Sequence, residues 1–241
     1  MVVVILFLAV LGLFNICDSI TFKYCKGSES SSDACLIDAI SDALQQLKAG
    51  YKEFGLKGLD VYKIPAISVE AGKGAVHFTQ NYRNIQLLGF TDAVVKEAHF
   101  DRQNNAFTFT MFIPLLTQKA DYNVNGKLLT LPITGNGSSV FELYNMNLKI
   151  DMTLDDYTRD GEHYYKIKSI QVYLPISKLK GHFDNLFNGN KLLGDNVNRL
   201  LNDEWEAIYS DVQHPLELAY GKDFEMYIQT FLDHVPAKDL F

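Results

Sequence analysis

The sequence of 241 residues lacks the motifs through which most enzymes show their chemistry. No GxSxG elbow lifts a serine above a sheet, no HExxH sets two histidines on one helical face, and no glycine-rich loop opens a helix toward phosphate. Gly135-Asn136-Gly137 has part of a dinucleotide fingerprint, but the third glycine and the following helix are missing. The six histidines (His77, His99, His163, His182, His214 and His234) are scattered without ligand spacing, so neither a metal nor another cofactor is expected. These absences argue against an enzyme. Positive charge is also scarce: 22 Lys and Arg stand against 29 Asp and Glu, for a net charge of −7 with no basic block. Nucleic acid and anionic membrane surfaces are therefore poor partners.

Long apolar runs are absent except at the start. Residues 2–14 are uninterrupted by charge and are followed by Asn15, Ile16, Cys17, Asp18 and Ser19. This length suits the core of a signal peptide and is too short to span a bilayer, although no Lys or Arg precedes it. Cleavage after Ser19 would make residues 1–19 a leader and 20–241 the mature, secreted chain. No later run is long enough for stable membrane insertion. Removing Asp18 with the leader takes the net charge from −7 to −6.

Cysteine is scarce as well, and of the three, Cys17 would leave with the leader. Cys25 and Cys35 remain, and in an oxidising compartment they read as a disulfide closing a short loop, worth about 2–3 kcal/mol. Two free thiols or half a metal site are the alternatives, but no CxxC or histidine cluster lies near them. Asn136-Gly137-Ser138 is a glycosylation sequon and is expected in a Gly/Ser loop.

What the chain does contain is strong periodicity. Ser32 and Asp33 cap an amphipathic helix that carries Leu36, Ile37, Ile40, Leu44 and Leu47 and stops at Gly50. Phe107, Phe109, Met111 and Ile113 alternate with Thr108, Thr110 and Phe112 in a strand expected to close at Pro114. A hairpin turn is expected at Asn125-Gly126, before Leu129, Leu131 and Ile133. Tyr144, Met146, Leu148, Ile150 and Met152 alternate with polar residues, which gives a sheet with one dry side. Ile170, Val172 and Leu174 are out of phase with Tyr165 and Ile167, predicting a bulge near Lys168 and Ser169. Ile85 and Leu87 are out of phase with Val76, Phe78 and Tyr82, predicting a second bend.

After Gly189 the apolar spacing becomes helical from Leu193 to Phe231, with Pro215 expected to kink or split the helix. So broad a stripe needs a large apolar partner, and the dry sheet face is the candidate. The economical arrangement is a single α+β domain. The 16 Phe and 13 Tyr lie mainly on these dry faces. By themselves they favour a filled core over a cavity in which tyrosine hydroxyls orient a ligand.

Three stretches together resemble the insect takeout and juvenile-hormone-binding protein family. The first runs from Cys25 through Cys35 and its helix to Leu59-Asp60 and Lys63-Ile64-Pro65. The second is YNVNGKLLTLPI at residues 122–133, followed by Gly135-Asn136-Gly137. The third comprises FDNLFNGN at 183–190, LNDEW at 201–205 and VPAKDLF at 235–241.

The resemblance implies a long C-terminal helix wrapped by a strongly curved antiparallel sheet, a TULIP-like super-roll enclosing an apolar tunnel. It also implies a monomeric carrier for a terpenoid, a juvenile-hormone-like molecule, a fatty acid or a similar lipid. Juvenile-hormone carriers typically have a second disulfide, so this chain resembles the takeout branch, which is associated with feeding, circadian output and chemosensory tissue. On that reading the ligand would be lined by Phe107, Phe109, Met111, Leu129, Leu131, Tyr144, Met146, Leu148, Trp205, Ile208, Tyr209, Val212 and Phe231. A secreted signalling protein with a filled core and, further off, a lipid esterase are the competing readings.

Overall fold

A computed structural model describes residues 21–25, 32–71, 77–129 and 131–240. The apolar leader, Cys17, the cleavage point after Ser19, and Val76 lie outside these residues. Helix α1 spans Asp33–Gln46, with the Ser32 hydroxyl accepting from the Cys35 N–H at its N-terminus. Cys25 and Cys35 form a disulfide that ties the preceding segment to the first turn of α1.

Seven strands follow: β1 (Tyr62–Ala71), β2 (His77–Leu88), β3 (Val94–Asp101), β4 (Ala106–Leu128), β5 (Leu131–Arg159), β6 (Glu162–Tyr173) and β7 (Lys178–Phe183). All are antiparallel in one sheet of order β1-β2-β4-β5-β6, with β3 added beside β4 and β7 beside β5. Helices α2 (Lys191–Asp203) and α3 (Trp205–Leu232) complete the fold.

Both expected bends are present. Thr153 pairs with Ser169 while Leu154 pairs with Ile167, which leaves Lys168 as the extra residue of a bulge. On β2 the pairing slips between Arg83 and Gln86, where Asn84 adopts a left-handed conformation, φ 51°.

Two turn expectations are corrected. Asn125 and Gly126 lie within the β4–β5 ladder, opposite Thr134 and Ile133. The hairpin closes beyond them, between the partners Leu128 and Leu131, with Leu129 left-handed at φ 54°. Asn125-Gly126 has the chemistry of a tight turn, but the register that buries Val124, Leu128 and Ile133 overrides it.

Pro114 likewise does not end β4. β3 pairs with β4 as far as Phe112, and β2 takes over from Thr117, so Pro114 falls where no strand on that side needs its N–H. Across from it Asn145 is left-handed, φ 50°, and both strands change phase here. Ile113 and Met146 point inward before the bend, and Leu116 and Phe141 after it.

The C-terminal helical region is interrupted at Glu204, and α3 runs through Pro215 without a break. α3 packs against both β1 and β6, the two ends of the main strand order, so it closes the mouth of a curled sheet. Its apolar face joins the core through Ile208, Val212, Phe224 and Leu232, and polar bonds fasten its margins. The Leu174 N–H donates to Glu217 at 2.9 Å and the Ile167 N–H to Gln229 at 2.8 Å, so helix side chains accept from the backbone along β6. Tyr209 donates to the Leu174 carbonyl and Tyr227 to the Lys57 carbonyl. Tyr62 on β1 donates to the buried Asp223 carboxylate, which also faces Lys57 at 3.9 Å.

α2 treats β7 in the same way. Asn198 and Asn202, one turn apart, each accept from and donate to one residue of the strand, Phe183 and Gly181 respectively. Gly181 permits this approach, because a Cβ there would lie 2.8 Å from Leu201 of α2 and 2.5 Å from the Phe141 ring of β5.

Asn198→Ala strands a buried N–H and carbonyl of Phe183, and is expected to lower unfolding free energy by about 2–3 kcal/mol in a denaturant titration. A pH dependence follows from the tyrosines. Burial raises the phenols of Tyr62, Tyr209, Tyr220 and Tyr227, and burial together with the Asp184 carboxylate pushes Tyr122 up to about 12. The folded state therefore holds phenolic protons that the unfolded chain releases near pH 10. Stability is expected to be unaffected by these groups below about pH 10 and to fall as pH rises from 10 toward 12, read as a late phenolate absorbance step that coincides with unfolding.

Candidate ligand-binding interior

The inner face of α3 presents Ile208, Tyr209, Val212, Leu216, Tyr220, Phe224, Tyr227, Ile228 and Phe231 toward the concave sheet, three or four residues apart except for two adjacent pairs. The two surfaces do not fill the space between them. Three adjoining cavities run along the helix, and their linings are mainly apolar. The first, about 100 Å³, lies between the N-terminal half of α3 and strands β2, β4, β5 and β7. The second, about 130 Å³, is shared by α1, β3's neighbour β4, and β5, with Phe224, Tyr227 and Ile228 as its helical wall. The third, about 490 Å³, lies where α1, residues 21–24 and residues 235–240 meet around the end of α3.

The partitions between cavities are side chains. Phe90, Leu148 and Phe224 line both the first and the second cavity, while Ile40, Leu44, Leu59, Phe109, Tyr227 and Ile228 line both the second and the third. The third cavity reaches the surface beside the exposed Lys23 and Tyr24, and its volume falls in the range of roughly 300–1,000 Å³ typical of small-molecule sites.

The charged groups, Lys23, His234 and Asp239, lie on the third cavity, whereas the polar lining of the first is uncharged. Tyr82, Gln118 and Tyr220 form a short network there, with Tyr220 donating to the Gln118 carbonyl oxygen and the Gln118 amide also hydrogen-bonded to Tyr82. Burial holds the Tyr82 and Tyr220 phenols well above their usual range, so both remain neutral. Gln80, two residues before Tyr82 on β2, lines the same cavity at 4% exposure, and its Nε2 has no hydrogen-bond partner. The lining of this cavity contains no Lys, Arg, His, Asp or Glu.

Of the residues expected to line a ligand site, nine border the cavities. Phe107, Phe109 and Phe231 border the third, with Phe109 and Met111 on the second. Met146, Leu148, Ile208, Tyr209 and Val212 border the first. Four do not. Leu129 forms the hairpin turn and Leu131 beyond it is 41% exposed, because the turn falls later than Asn125-Gly126. Tyr144 points outward, since the bend at Asn145 reverses the phase before Met146, and its hydroxyl donates to Glu142 at 2.6 Å. Trp205 opens α3 and packs partly buried against the core outside the cavities.

Sequence reasoning missed the contribution of β2, including Phe78, Gln80 and Tyr82. A glutamine at a position whose neighbours two residues away on each side are aromatic was the available signal. The glycines at 135 and 137 serve packing: a Cβ at Gly135 would lie 2.8 Å from the Tyr122 hydroxyl, and one at Gly137 2.6 Å from the Asp184 carbonyl. Asn136 between them is exposed on strand β5, not in a loop. Among the described residues no cluster of His, Cys, Asp and Glu could hold a metal ion, and no helix is long and apolar enough to cross a membrane.

Comparison with known proteins agrees with this architecture. The crystal structure of Takeout 1 from Epiphyas postvittana superposes with a TM-score of 0.80 at 24% identity, covering 90% of this chain and 98% of that one. The circadian clock-controlled protein daywake is 28% identical in Drosophila melanogaster and 29% in Drosophila yakuba, in each case across 91% of this chain and 86% of the relative. The family model for haemolymph juvenile hormone binding protein matches residues 2–241, and the chain belongs to that family.

Proposed function

We propose that this protein is a secreted, monomeric carrier that holds an elongated apolar molecule along α3. The observation that carries this reading is the row of three adjoining, mainly apolar cavities. A filled core would leave no such row, because protein interiors normally pack with few voids larger than a water molecule. The driving force is removal of hydrocarbon surface from water, worth about 25 cal/mol per Å². No covalent step is involved. Terpenoids, juvenile-hormone-like molecules and fatty-acid derivatives are the ligand classes that this shape admits.

Ala43 lines the third cavity. Ala43→Trp is expected to weaken binding of the fluorescent apolar probe N-phenyl-1-naphthylamine at least tenfold while leaving the melting temperature nearly unchanged. Unchanged probe binding with a loss of about 1–3 kcal/mol in stability would mark the region as packed core and overturn the carrier reading.

Residues 1–19 act as the signal peptide in this proposal, and 20–241 form the ligand-binding domain. Support comes from the Cys25–Cys35 disulfide, which suits an oxidising compartment, and from a family named for haemolymph. Expressed in insect cells, the full chain is expected in the medium with Ile20 as its first residue, and a chain lacking 1–19 is expected to stay inside. The name of the daywake relative supports a place in circadian output, with feeding and chemosensory signalling as further settings.

A further inference from the structure

Gln80 stands out among the polar groups of the interior. It lies on the inward face of β2 between Phe78 and Tyr82, all three on the first cavity. At 4% exposure its amide is withdrawn from solvent, and its Nε2 finds no acceptor among its neighbours. Desolvating an amide N–H without giving it a partner is unfavourable, and an apolar residue of similar size would avoid that cost. The other amide on this cavity, Gln118, is committed to Tyr82 and Tyr220, which leaves the Gln80 Nε2 as the donor without a partner.

The volume bears on what could satisfy it. About 100 Å³ accommodates the head of a molecule, not a whole lipid, and the head would lead a chain that continues through the second and third cavities. The charge environment narrows the chemistry further. With no cationic side chain in that lining, a buried carboxylate would have no counter-ion, whereas a neutral oxygen needs only a donor.

We propose that Gln80 is a specificity-determining residue: its amide N–H donates to a neutral oxygen acceptor, such as a ketone, ester or ether oxygen, at the leading end of the bound chain. The proposal rests on the carrier reading and adds to it the polarity and orientation of the ligand, head toward the first cavity and tail toward the third.

The test compares wild type with Gln80→Met and Gln80→Leu, using displacement of N-phenyl-1-naphthylamine by 2-tridecanone, tridecane and tridecanoate. Wild type is expected to bind the ketone about tenfold or more tightly than either the alkane or the carboxylate. In both variants the ketone is expected to lose that advantage while alkane binding holds or improves, and the ligand-free melting temperature is expected to stay level or rise. If ketone and alkane weaken together in the variants, or the ketone keeps its preference, Gln80 does not read the acceptor. A lower ligand-free melting temperature with unchanged selectivity would show an amide satisfied within the protein or by trapped water, and would overturn the proposal. Tridecanoate binding as tight as the ketone would overturn the neutral assignment. If wild type displaces probe with none of the three, the carrier reading itself fails, an outcome distinct from the others.

Discussion

A curved sheet that does not close on itself leaves backbone N–H and C=O groups along its last strands, and the rest of this molecule depends on how those groups are satisfied. Here helices do it with side chains. Glu217 and Gln229 accept from the backbone along β6, and Asn198 and Asn202 pair with β7 residue by residue. A strand edge met in this way is no longer a template for a second chain. It also fixes where α3 stands. Hydrogen bonds along the margins add to the apolar packing of Ile208, Val212 and Phe224, so the helix is held while part of the space between helix and sheet stays open.

The tyrosines extend the same logic inward. Tyr62, Tyr209 and Tyr227 each span the gap between helix and wall with a ring and end on an oxygen acceptor. Each therefore contributes an apolar body to the lining and a directional bond to the frame. Asp223 is the one buried carboxylate in this arrangement, and it is tolerated because Tyr62 donates to it and Lys57 stands nearby.

Much of the frame was legible in the sequence because burial imposes phase. The slips at Lys168 and at Asn84 appear as breaks in alternation, since an extra residue reverses which side chains face the core. The features that misled are those where long-range pairing outweighs a local preference. Pro114 reads as a terminator until the strand beside it is known to be missing at that point, and Asn125-Gly126 reads as a turn until the burial of Val124 and Leu128 is weighed. Tyr144 was misplaced for the related reason that Asn145, left-handed, reverses the phase in mid-strand. The interior itself was not legible, because alternation says which residues face inward but not how far apart two inward faces stand. Gln80 was visible as a polar residue at a dry position, yet only the geometry shows that its donor is left over.

The residues shared between neighbouring cavities are Phe90, Leu148 and Phe224 on one side and Ile40, Leu44, Leu59, Phe109, Tyr227 and Ile228 on the other. Side chains change rotamer without disturbing ladders, caps or helix attachments. The boundaries can therefore shift while the architecture stays fixed, and how much the interior holds is a property of a few torsion angles, adjustable by whatever enters.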